Sequence, residues 1–185
     1  NANDYIDDPD FQQDMLETVS STVGNMKGLI SRLKNIREKP VLVISSVPLN
    51  KIIEDALETA GSNIEVNGTP VQVAVDEEEI YKVILNLLVN AVEATEKDLA
   101  VLIKYGQQDN FACLDVTDSG CGMTDDFIEN KLFKPFETTK KHGFGIGLYQ
   151  CKQIIESHGG KIEVASEYGV GTTFTLFLPL AVESQ

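Results

Sequence analysis

The spacing of apolar residues changes at Pro40. Before it, apolar side chains follow one another at alternating steps of three and four residues: Leu16, Val19, Val23, Met26, Ile30 and Leu33. This is the seam spacing of a coiled coil or helix bundle, and the run Asp8-Pro9-Asp10 and Pro40 suit its start and its end. We therefore predict one long helix within residues 1–39. Its straight seam favours a place in a helical bundle, and the alternative is a helix that packs on its own domain.

Beyond Pro40, short apolar runs alternate with amphipathic helical patterns. The predicted order is a strand at VLVIS, a helix over 49–59, a strand over 71–75, a long helix over about 77–96, strands around VLIKY and FACLDV, a helix over about 147–158, and strands KIEVAS and TFTLFLP joined by the turn EYGVGT. Helices on one face of a mixed sheet form an α/β fold. We predict a two-layer α/β sandwich over residues 40–182, preceded by the long helix.

Charge and cysteine content narrow the function classes. The 185 residues carry 15 Lys and Arg against 29 Asp and Glu, a formal net charge of -14, which argues against a nucleic-acid groove or a basic membrane-binding face. No apolar run approaches the roughly 20 residues of a membrane span, and the start without Met suggests a fragment. Three cysteines without CxxC spacing indicate a reduced, cytosolic chain: Cys113, Cys121 and Cys151.

Two asparagines interrupt the apolar stripe of the long central helix. In NLLVNAVEAT, Asn86 and Asn90 are four residues apart and therefore lie on the same helix face. A buried amide costs free energy unless it is hydrogen-bonded. Two stacked amides therefore favour a ligand site over plain packing, with a capped or water-bridged pair as the alternative.

Three glycine-containing segments follow this helix. In DVTDSGCGM, Asp118 ends a strand, where a carboxylate can accept a hydrogen bond from an exocyclic amine, and the glycines let the backbone pass close to a flat ligand. HGFGIGLYQ leads into a helix start, whose backbone N–H groups suit phosphates. GVGTTFTLFLP places Thr172 at the head of a core strand. Each segment alone is also compatible with an ordinary turn.

Together and in this order, the segments resemble the ATP-binding catalytic domain of sensor histidine kinases, within the wider group of DNA gyrase and the mismatch-repair ATPases. NLLVNA looks like the N box, DSGCGM and GFGIGL like the two glycine boxes, FKPFETTK like the F box, and GVGTTFTLFLP like the closing strand. The resemblance covers about residues 41–180 and implies the Bergerat ATP-binding fold. The short lid between Phe136 and Gly143 is similar to that of nitrogen-regulator kinases. The helix DPDFQQDMLETVSSTVGNMKGLISRL resembles that of kinases from PEP-CTERM exopolysaccharide systems.

The resemblance implies roles for individual residues. Asn90 is expected to hold the Mg2+ that bridges the ATP phosphates. Asn86 stands where gyrase-like ATPases have a water-activating glutamate, and an amide cannot act as a base, which implies phosphoryl transfer rather than hydrolysis. Asp118 is expected to read the adenine amine, with Thr172 supporting that contact through water. The full set of expected ATP-binding residues is Asn90, Asp118, Gly120, Gly122, Phe133, Thr138, Thr139, Lys140, Gly143, Gly145, Ile146, Gly147, Leu148 and Thr172.

A lid over roughly residues 123–142 is expected to fold over the nucleotide. Phe133 and Phe136 are expected to grip the body of the domain, a role that ordinary core anchors share. Lys140 is the candidate cation beside the γ-phosphate and, with Asn86, a candidate catalytic residue; the alternative is a solvated lid charge. Many histidine kinases have Lys or Arg three residues after the metal-binding asparagine, where this chain has Glu93.

The expected phosphoacceptor is a histidine on the first helix of a two-helix dimerisation hairpin, of which residues 1–39 resemble the second helix. The chain has His142, in the lid, and His158, at a helix end, and neither lies on the bundle helix. The expected partners are ATP, the hairpin and a second kinase chain, and the receiver domain of a response regulator. The expected location is the cytoplasmic part of a membrane-anchored bacterial sensor kinase. The alternatives are an inactive nucleotide-binding interaction module of a degenerate kinase, a gyrase-like ATPase, and a serine kinase that silences a sigma factor.

Overall fold

The structure, a computed structural model, divides the chain into two compact units, Asn1–Pro40 and Val41–Gln185. It describes residues 11–13, 15–16, 18–19, 23, 41–61, 63–96, 99–138 and 143–182. The described residues of the first unit are helical, and the seam residues among them, Leu16, Val19 and Val23, are exposed. The rest of the predicted seam lies outside the described residues, so the long helix stays a prediction. Within the described ranges, no helix has the length and apolar character needed to cross a bilayer.

The second unit is built around a mixed sheet of five strands in the order β2-β4-β5-β7-β6. Its strands are β2 Ile64–Gly68, β4 Val101–Gln108, β5 Phe111–Asp118, β6 Lys161–Glu167 and β7 Gly171–Pro179. β2 runs parallel to β4, and the other neighbouring strands are antiparallel. β1 (Ser45–Pro48) and β3 (Gln72–Val75) form a separate antiparallel pair.

Helices cover one face of this sheet. The described part of the unit contains α1 Leu49–Ala60, α2 Glu77–Ala94, α3 Asp125–Asn130 and α4 Gly147–Ser157. The apolar faces of α1, α2 and α4 join the inward-facing sheet residues in a single core cluster, in which Ile53, Ile84, Leu114, Ile155 and Leu176 are almost fully buried. The predicted two-layer α/β sandwich is confirmed.

The central helix α2 begins where the sequence provides a cap. The side chain of Asp76 accepts a hydrogen bond from Glu79 N over 3.2 Å, which satisfies a backbone N–H that the first turn leaves without a helical partner. Glu77, Glu78 and Glu79 fill that turn, where negative charge interacts favourably with the helix dipole. The same carboxylate accepts from Val43 N over 2.8 Å. Asp76 therefore ties the segment before β1 to the start of α2.

The first strand begins four residues later than predicted. The sequence predicts a strand at VLVIS, and the structure has it at Ser45–Pro48. Val41 and Val43 lie outside the sheet and are 94% and 74% exposed. The backbone N–H of Val43 bonds to the Asp76 carboxylate rather than to a neighbouring strand. The apolar run by itself therefore predicts the wrong first residue for β1.

Two short elements are absent from the sequence prediction. β2, with the sequence IEVNG, is mostly exposed, so it lacks the apolar alternation that marks a half-buried strand. α3 spans six residues, too few for a helical period to be recognised. The other predicted elements of this unit are confirmed, with their ends shifted by up to three residues.

Replacing Asp76 tests its capping role. Asp76→Ala removes the acceptor for two backbone N–H groups and should lower the free energy of unfolding by about 1 kcal/mol or more, the usual cost of losing an N-cap. Asp55→Ala, at an exposed position of α1, is the matched control. Urea unfolding measures both variants, and equal stability would contradict the capping role.

The same contacts make the contribution of Asp76 depend on pH. The hydrogen bond from Val43 N–H, more than any other interaction, holds the pKa of the Asp76 carboxyl below its ordinary value of 3.8. The folded state therefore favours the charged form, so this stabilisation is present at neutral pH and is lost as the pH falls through the folded-state pKa. The stability difference between the parent chain and Asp76→Asn should accordingly narrow below pH 3.8.

Candidate functional site

The two asparagines of α2 form a hydrogen-bonded pair. The side-chain nitrogen of Asn90 donates to Oδ1 of Asn86 over 2.9 Å, so both amides lie on one helix face, as predicted. Both residues are half-buried, so the pair lies at the edge of the apolar stripe rather than inside it. Because this bond uses the amide nitrogen of Asn90, the carbonyl oxygen of Asn90 is not the atom that contacts Asn86. An amide oxygen of this kind is a suitable ligand for Mg2+.

The start of α4 approaches this pair so closely that a side chain at Gly147 would displace the Asn86 amide. A Cβ on Gly147 would lie 2.6 Å from Nδ2 and 3.0 Å from Oδ1 of Asn86, well inside van der Waals contact. Gly147 is the first residue of α4, so the N–H groups at that helix start lie beside the amide pair. Helix N-termini present such N–H groups without helical partners, and they bind anionic oxygens.

A hydrogen bond closes the short lid segment between Phe136 and Gly143 at its base. The backbone N–H of Phe136 donates to the carbonyl of Gly145 over 2.8 Å. A Cβ on Gly145 would lie 2.6 Å from backbone atoms of Glu137, and Gly145 has a φ of +64°, a conformation that glycine adopts without strain. The next residue, Ile146, is buried and anchors the chain between Gly145 and the start of α4. The bond between Phe136 and Gly145 therefore fixes where the lid segment leaves and rejoins the domain.

One of the two lid phenylalanines packs on the body of the domain, and the other does not. Phe133 is half-buried against the core, and Nζ of Lys152 on α4 lies 5.1 Å from its ring centroid, a cation–π distance. Phe136 is 57% exposed, so the prediction that it grips the body is wrong. It lies in the turn back toward Gly145, with a φ of +70°. The buried residue of this segment is Leu132, which the motif comparison overlooked.

The other predicted residues of the lid differ in how far the structure describes them. Gly143 and Thr138 are exposed and Leu148 is half-buried. Thr139 and Lys140 lie outside the described residues. The expected role of Lys140 beside the γ-phosphate therefore stays a prediction.

The opposite end of the site lies where β5 and β7 meet. Asp118 ends β5 and pairs with Thr172 of β7 across the ladder. Asp118 is 7% exposed, and its Oδ1 accepts from Gly120 N over 2.9 Å. Burial raises the pKa of the Asp118 carboxyl, and the backbone N–H groups of Gly120 and Thr172 partly offset that rise. Such a carboxylate can accept a hydrogen bond from an exocyclic amine.

The glycines next to Asp118 are required by contacts within the protein. A Cβ on Gly120 would lie 2.5 Å from the carbonyl oxygen of Ala94, at the end of α2, and one on Gly122 would lie 2.0 Å from that of Glu167. The loop after β5 therefore packs tightly against both α2 and the β6–β7 turn. Packing alone accounts for these two glycines, so their presence is not by itself evidence of a ligand.

Ser166 connects Thr172 to the start of the lid and was missed by sequence reasoning. Its Oγ lies 2.8 Å from Oγ1 of Thr172, donates to the carbonyl of Gly171 and accepts from Met123 N, both over 2.9 Å. Ser166 has one hydroxyl hydrogen, so Thr172 donates to Ser166 and keeps the lone pairs of Oγ1 as acceptors. The β6–β7 ladder is centred on Gly169 and places Ser166 opposite Thr172; symmetric pairing about the predicted turn EYGVGT would instead place Ser166 opposite Thr173, so the sequence prediction did not indicate this contact.

A separate groove between α1 and α2 is unsuited to a nucleotide. Its volume is about 560 Å³, and four carboxylates line it: Asp55, Glu58, Glu77 and Glu78. These charges would repel a triphosphate. The amide pair, the start of α4 and the end of β5 remain the candidate site.

Comparison with known proteins assigns the family. The profile of histidine kinase-, DNA gyrase B- and HSP90-like ATPases matches residues 75–182, more than half of the chain. The chain belongs to this family. The matched region contains the amide pair, Asp118, Gly147 and Thr172.

Its relatives are sensor histidine kinases. In Escherichia coli K12, the sensor histidine kinase ZraS is 29% identical over 177 residues, and the signal transduction histidine-protein kinase AtoS is 33% identical over 182 residues. These matches cover 91% and 92% of this chain but 38% and 29% of the relatives, so the chain spans less than half of their length. A solved structure of the mycobacterial sensor histidine kinase MprB has a TM-score of 0.68 and 30% identity, covering 75% of this chain and 98% of that one. The chain therefore contains a histidine kinase ATP-binding catalytic domain.

Asp118→Asn tests the expected contact of Asp118 with the adenine amine. Asparagine keeps the shape and an oxygen for Gly120 N–H, but it replaces the other carboxylate oxygen with a donor that would face the adenine amine. ATP affinity should fall about 10- to 100-fold, as expected when a buried polar group loses its partner. Folding stability should not fall, because a carboxylate whose pKa is raised by burial costs stability at neutral pH.

Calorimetric titration and thermal unfolding measure the two effects. Asp109→Asn, in the β4–β5 turn, is the control for loss of one negative charge. As the pH is lowered, the ATP affinity of the parent should also begin to fall above pH 3.8, the ordinary pKa of an Asp carboxyl. Parent-like affinity in Asp118→Asn would remove this residue from the site.

Gly147→Ala tests the close approach of α4 to the amide pair. Alanine is favoured over glycine in a helix by about 1 kcal/mol, but its methyl group would displace the Asn86 amide from Asn90. ATP affinity should fall in Gly147→Ala. In an Asn86→Ala background the same change should have little further effect, because the colliding amide is gone. Equal, additive losses in both backgrounds would contradict the contact.

Proposed function

We propose that this catalytic domain presents Mg-ATP for transfer of the γ-phosphoryl group to a histidine on a dimerisation hairpin, and that the group then passes to a response-regulator aspartate. The observation that carries the proposal is the Asn86–Asn90 pair beside the start of α4. In the gyrase-like ATPases the position of Asn86 is a glutamate that activates water, and an amide cannot accept that proton at neutral pH. A site that positions phosphates without a base suits transfer to a protein nucleophile.

The residues present fit a magnesium ion. Mg2+ takes oxygen ligands and usually combines one or two protein groups with phosphate oxygens and several waters. Asn90 donates an amide hydrogen to Asn86, and its amide oxygen is of the ligand type that Mg2+ takes. In the ranges that the structure describes, no group of three or more His, Cys, Asp or Glu could hold a metal, so Asn90 and the phosphates would supply the ligands. When bound, the ion neutralises charge on the phosphate oxygens.

The other groups of this chain orient the nucleotide. Backbone N–H groups at Gly147 and Leu148 would hold phosphate oxygens, and Asp118 would fix the adenine from the other end of the site. Lys140 would place a cation beside the γ-phosphate. Catalysis by such a site consists of positioning and charge stabilisation.

The phosphoacceptor is proposed to lie outside the ATP-binding unit. His158 is 7% exposed, and both its ring nitrogens are hydrogen-bonded, one to Ile154 and one to Asp76. A phosphoryl group could not attach to either nitrogen without breaking one of these bonds. His142 lies outside the described residues.

A second candidate function is a nucleotide-binding interaction module without phosphoryl transfer. The observation that favours it is Glu93, an exposed carboxylate one turn beyond Asn90, where many histidine kinases have a cation. A negative charge there cannot pair with phosphate. Both candidate functions require ATP binding. They differ in whether the γ-phosphoryl group is transferred from ATP to another protein group.

Calorimetric titration of ATP, with and without Mg2+, tests the shared binding step. The parent should bind Mg-ATP more tightly than ATP, and Asn90→Ala should lose this difference. Asn67→Ala, at an exposed position of the edge strand β2, is the matched control and should keep it. Magnesium enhancement that survives in Asn90→Ala would contradict the assigned ligand.

Incubation with γ-labelled ATP and a separately supplied histidine-bearing hairpin distinguishes the two candidates. The proposal expects acid-labile label on the hairpin and no steady release of phosphate from the chain alone. ATP binding with no label on the hairpin would favour the interaction module. Steady phosphate release by the chain alone would instead favour an ATPase.

A further inference from the structure

Helices α2 and α4 lie antiparallel and touch at three levels. At one end, Asp76 N bonds to His158. In the middle, Sγ of Cys151 lies 3.9 Å from the carbonyl oxygen of Val83. At the other end, Gly147 meets the side chain of Asn86. Asp76 and Val83 are seven residues apart, as are Cys151 and His158, so these two contacts share one register. The third contact lies three residues further along α2 and four residues back along α4.

His158 makes the polar contact at the end far from the nucleotide site. It is the C-cap residue of α4, is 7% exposed, and has its two ring nitrogens on different helices. Nδ1 lies 2.7 Å from the carbonyl oxygen of Ile154, one turn back in α4. Nε2 accepts from the backbone N–H of Asp76 over 3.0 Å.

These partners fix the proton on the ring. A carbonyl oxygen can only accept, so Nδ1 carries the hydrogen, and Nε2 has the lone pair that accepts from Asp76 N–H. Asp76 is the N-cap of α2. The imidazole therefore caps α4 with one nitrogen and holds the start of α2 with the other.

We propose that His158 is a positioning residue for the nucleotide site, because its bond to Asp76 N sets the register in which Gly147 meets Asn86. Asn86 lies ten residues beyond Asp76, about 15 Å along the helix, and the core between the two ends is close-packed. A slip at His158 is therefore carried along both helices to the amide pair. The inference rests on the proposed ATP site for its effect on binding, but not for its effect on the helix register.

Two substitutions separate the contact between helices from the helix cap. In His158→Asn, the side-chain amide lies near the position of the His158 Nδ1 and can still donate to the carbonyl of Ile154, but it cannot reach the N–H of Asp76. The amide of glutamine reaches the place of Nε2 and presents an oxygen to Asp76 N–H. His158→Asn should weaken Mg-ATP binding by about fivefold, as expected for one lost hydrogen bond, and His158→Gln should stay within about twofold of the parent.

Two controls account for unspecific effects. Ser157→Ala changes an exposed residue at the end of the same helix and should bind like the parent. Ile103→Val shortens a buried side chain in β4, a strand that makes none of the three contacts between α2 and α4 described above, and lowers stability by about 1 kcal/mol. It should also bind like the parent, so weaker binding in His158→Asn is not explained by lower stability.

Amide hydrogen exchange supplies a readout that needs no nucleotide. In His158→Asn, exchange of the Gln150 N–H, which donates to the carbonyl of Ile146 at the start of α4, should become faster, and in His158→Gln it should stay as slow as in the parent. Parent-like exchange in His158→Asn, or equally fast exchange in both variants, would overturn the inference. If the parent fails to bind ATP, the proposed function fails, and the exchange rates still decide whether His158 sets the register.

Discussion

The contact between Gly147 and Asn86 is the constraint on which the candidate site depends. A single Cβ at position 147 would collide with the Asn86 amide, so the start of α4 reaches the amide pair because that Cβ is absent. This approach places two kinds of polar group side by side, the N–H groups of a helix start and the amides of a neighbouring helix. Neither group forms a phosphate site alone, since the N–H groups supply donors and the amide oxygen supplies a metal ligand.

The two ends of the site are built by different means. At the end proposed for the phosphates, helix packing brings backbone groups together, and Ile146 and the Phe136–Gly145 bond hold the loop in place. At the end proposed for adenine, the Gly120 N–H stabilises the charge of the buried Asp118 carboxylate. The antiparallel pairing of β5 with β7 puts Thr172 next to Asp118. In the proposed function, the two ends of the sandwich would therefore bind the phosphates and the adenine amine separately.

Local patterns in the sequence predict local structure well in this chain. The apolar pattern predicts α2 over about residues 77–96, within two residues of its observed end, and the four-residue spacing places Asn86 and Asn90 on one face. Contacts between distant segments carry no such signal: Asp76 and His158 are 82 residues apart. The strand at 45–48 was misplaced because an apolar run does not show which N–H groups enter a ladder. The resemblance to the F box led us to expect Phe136 on the body of the domain, whereas a turn at its own backbone leaves it exposed.

A crystal structure with Mg2+ and a non-hydrolysable ATP analogue shows whether the start of α4, the amide pair and Asp118 form one nucleotide site. Phosphate oxygens should lie within hydrogen-bond distance of the N–H groups at Gly147 and Leu148, the metal on the oxygen of Asn90, and the adenine amine on Asp118. Phosphates bound away from the start of α4, or an adenine that does not contact Asp118, would contradict this arrangement.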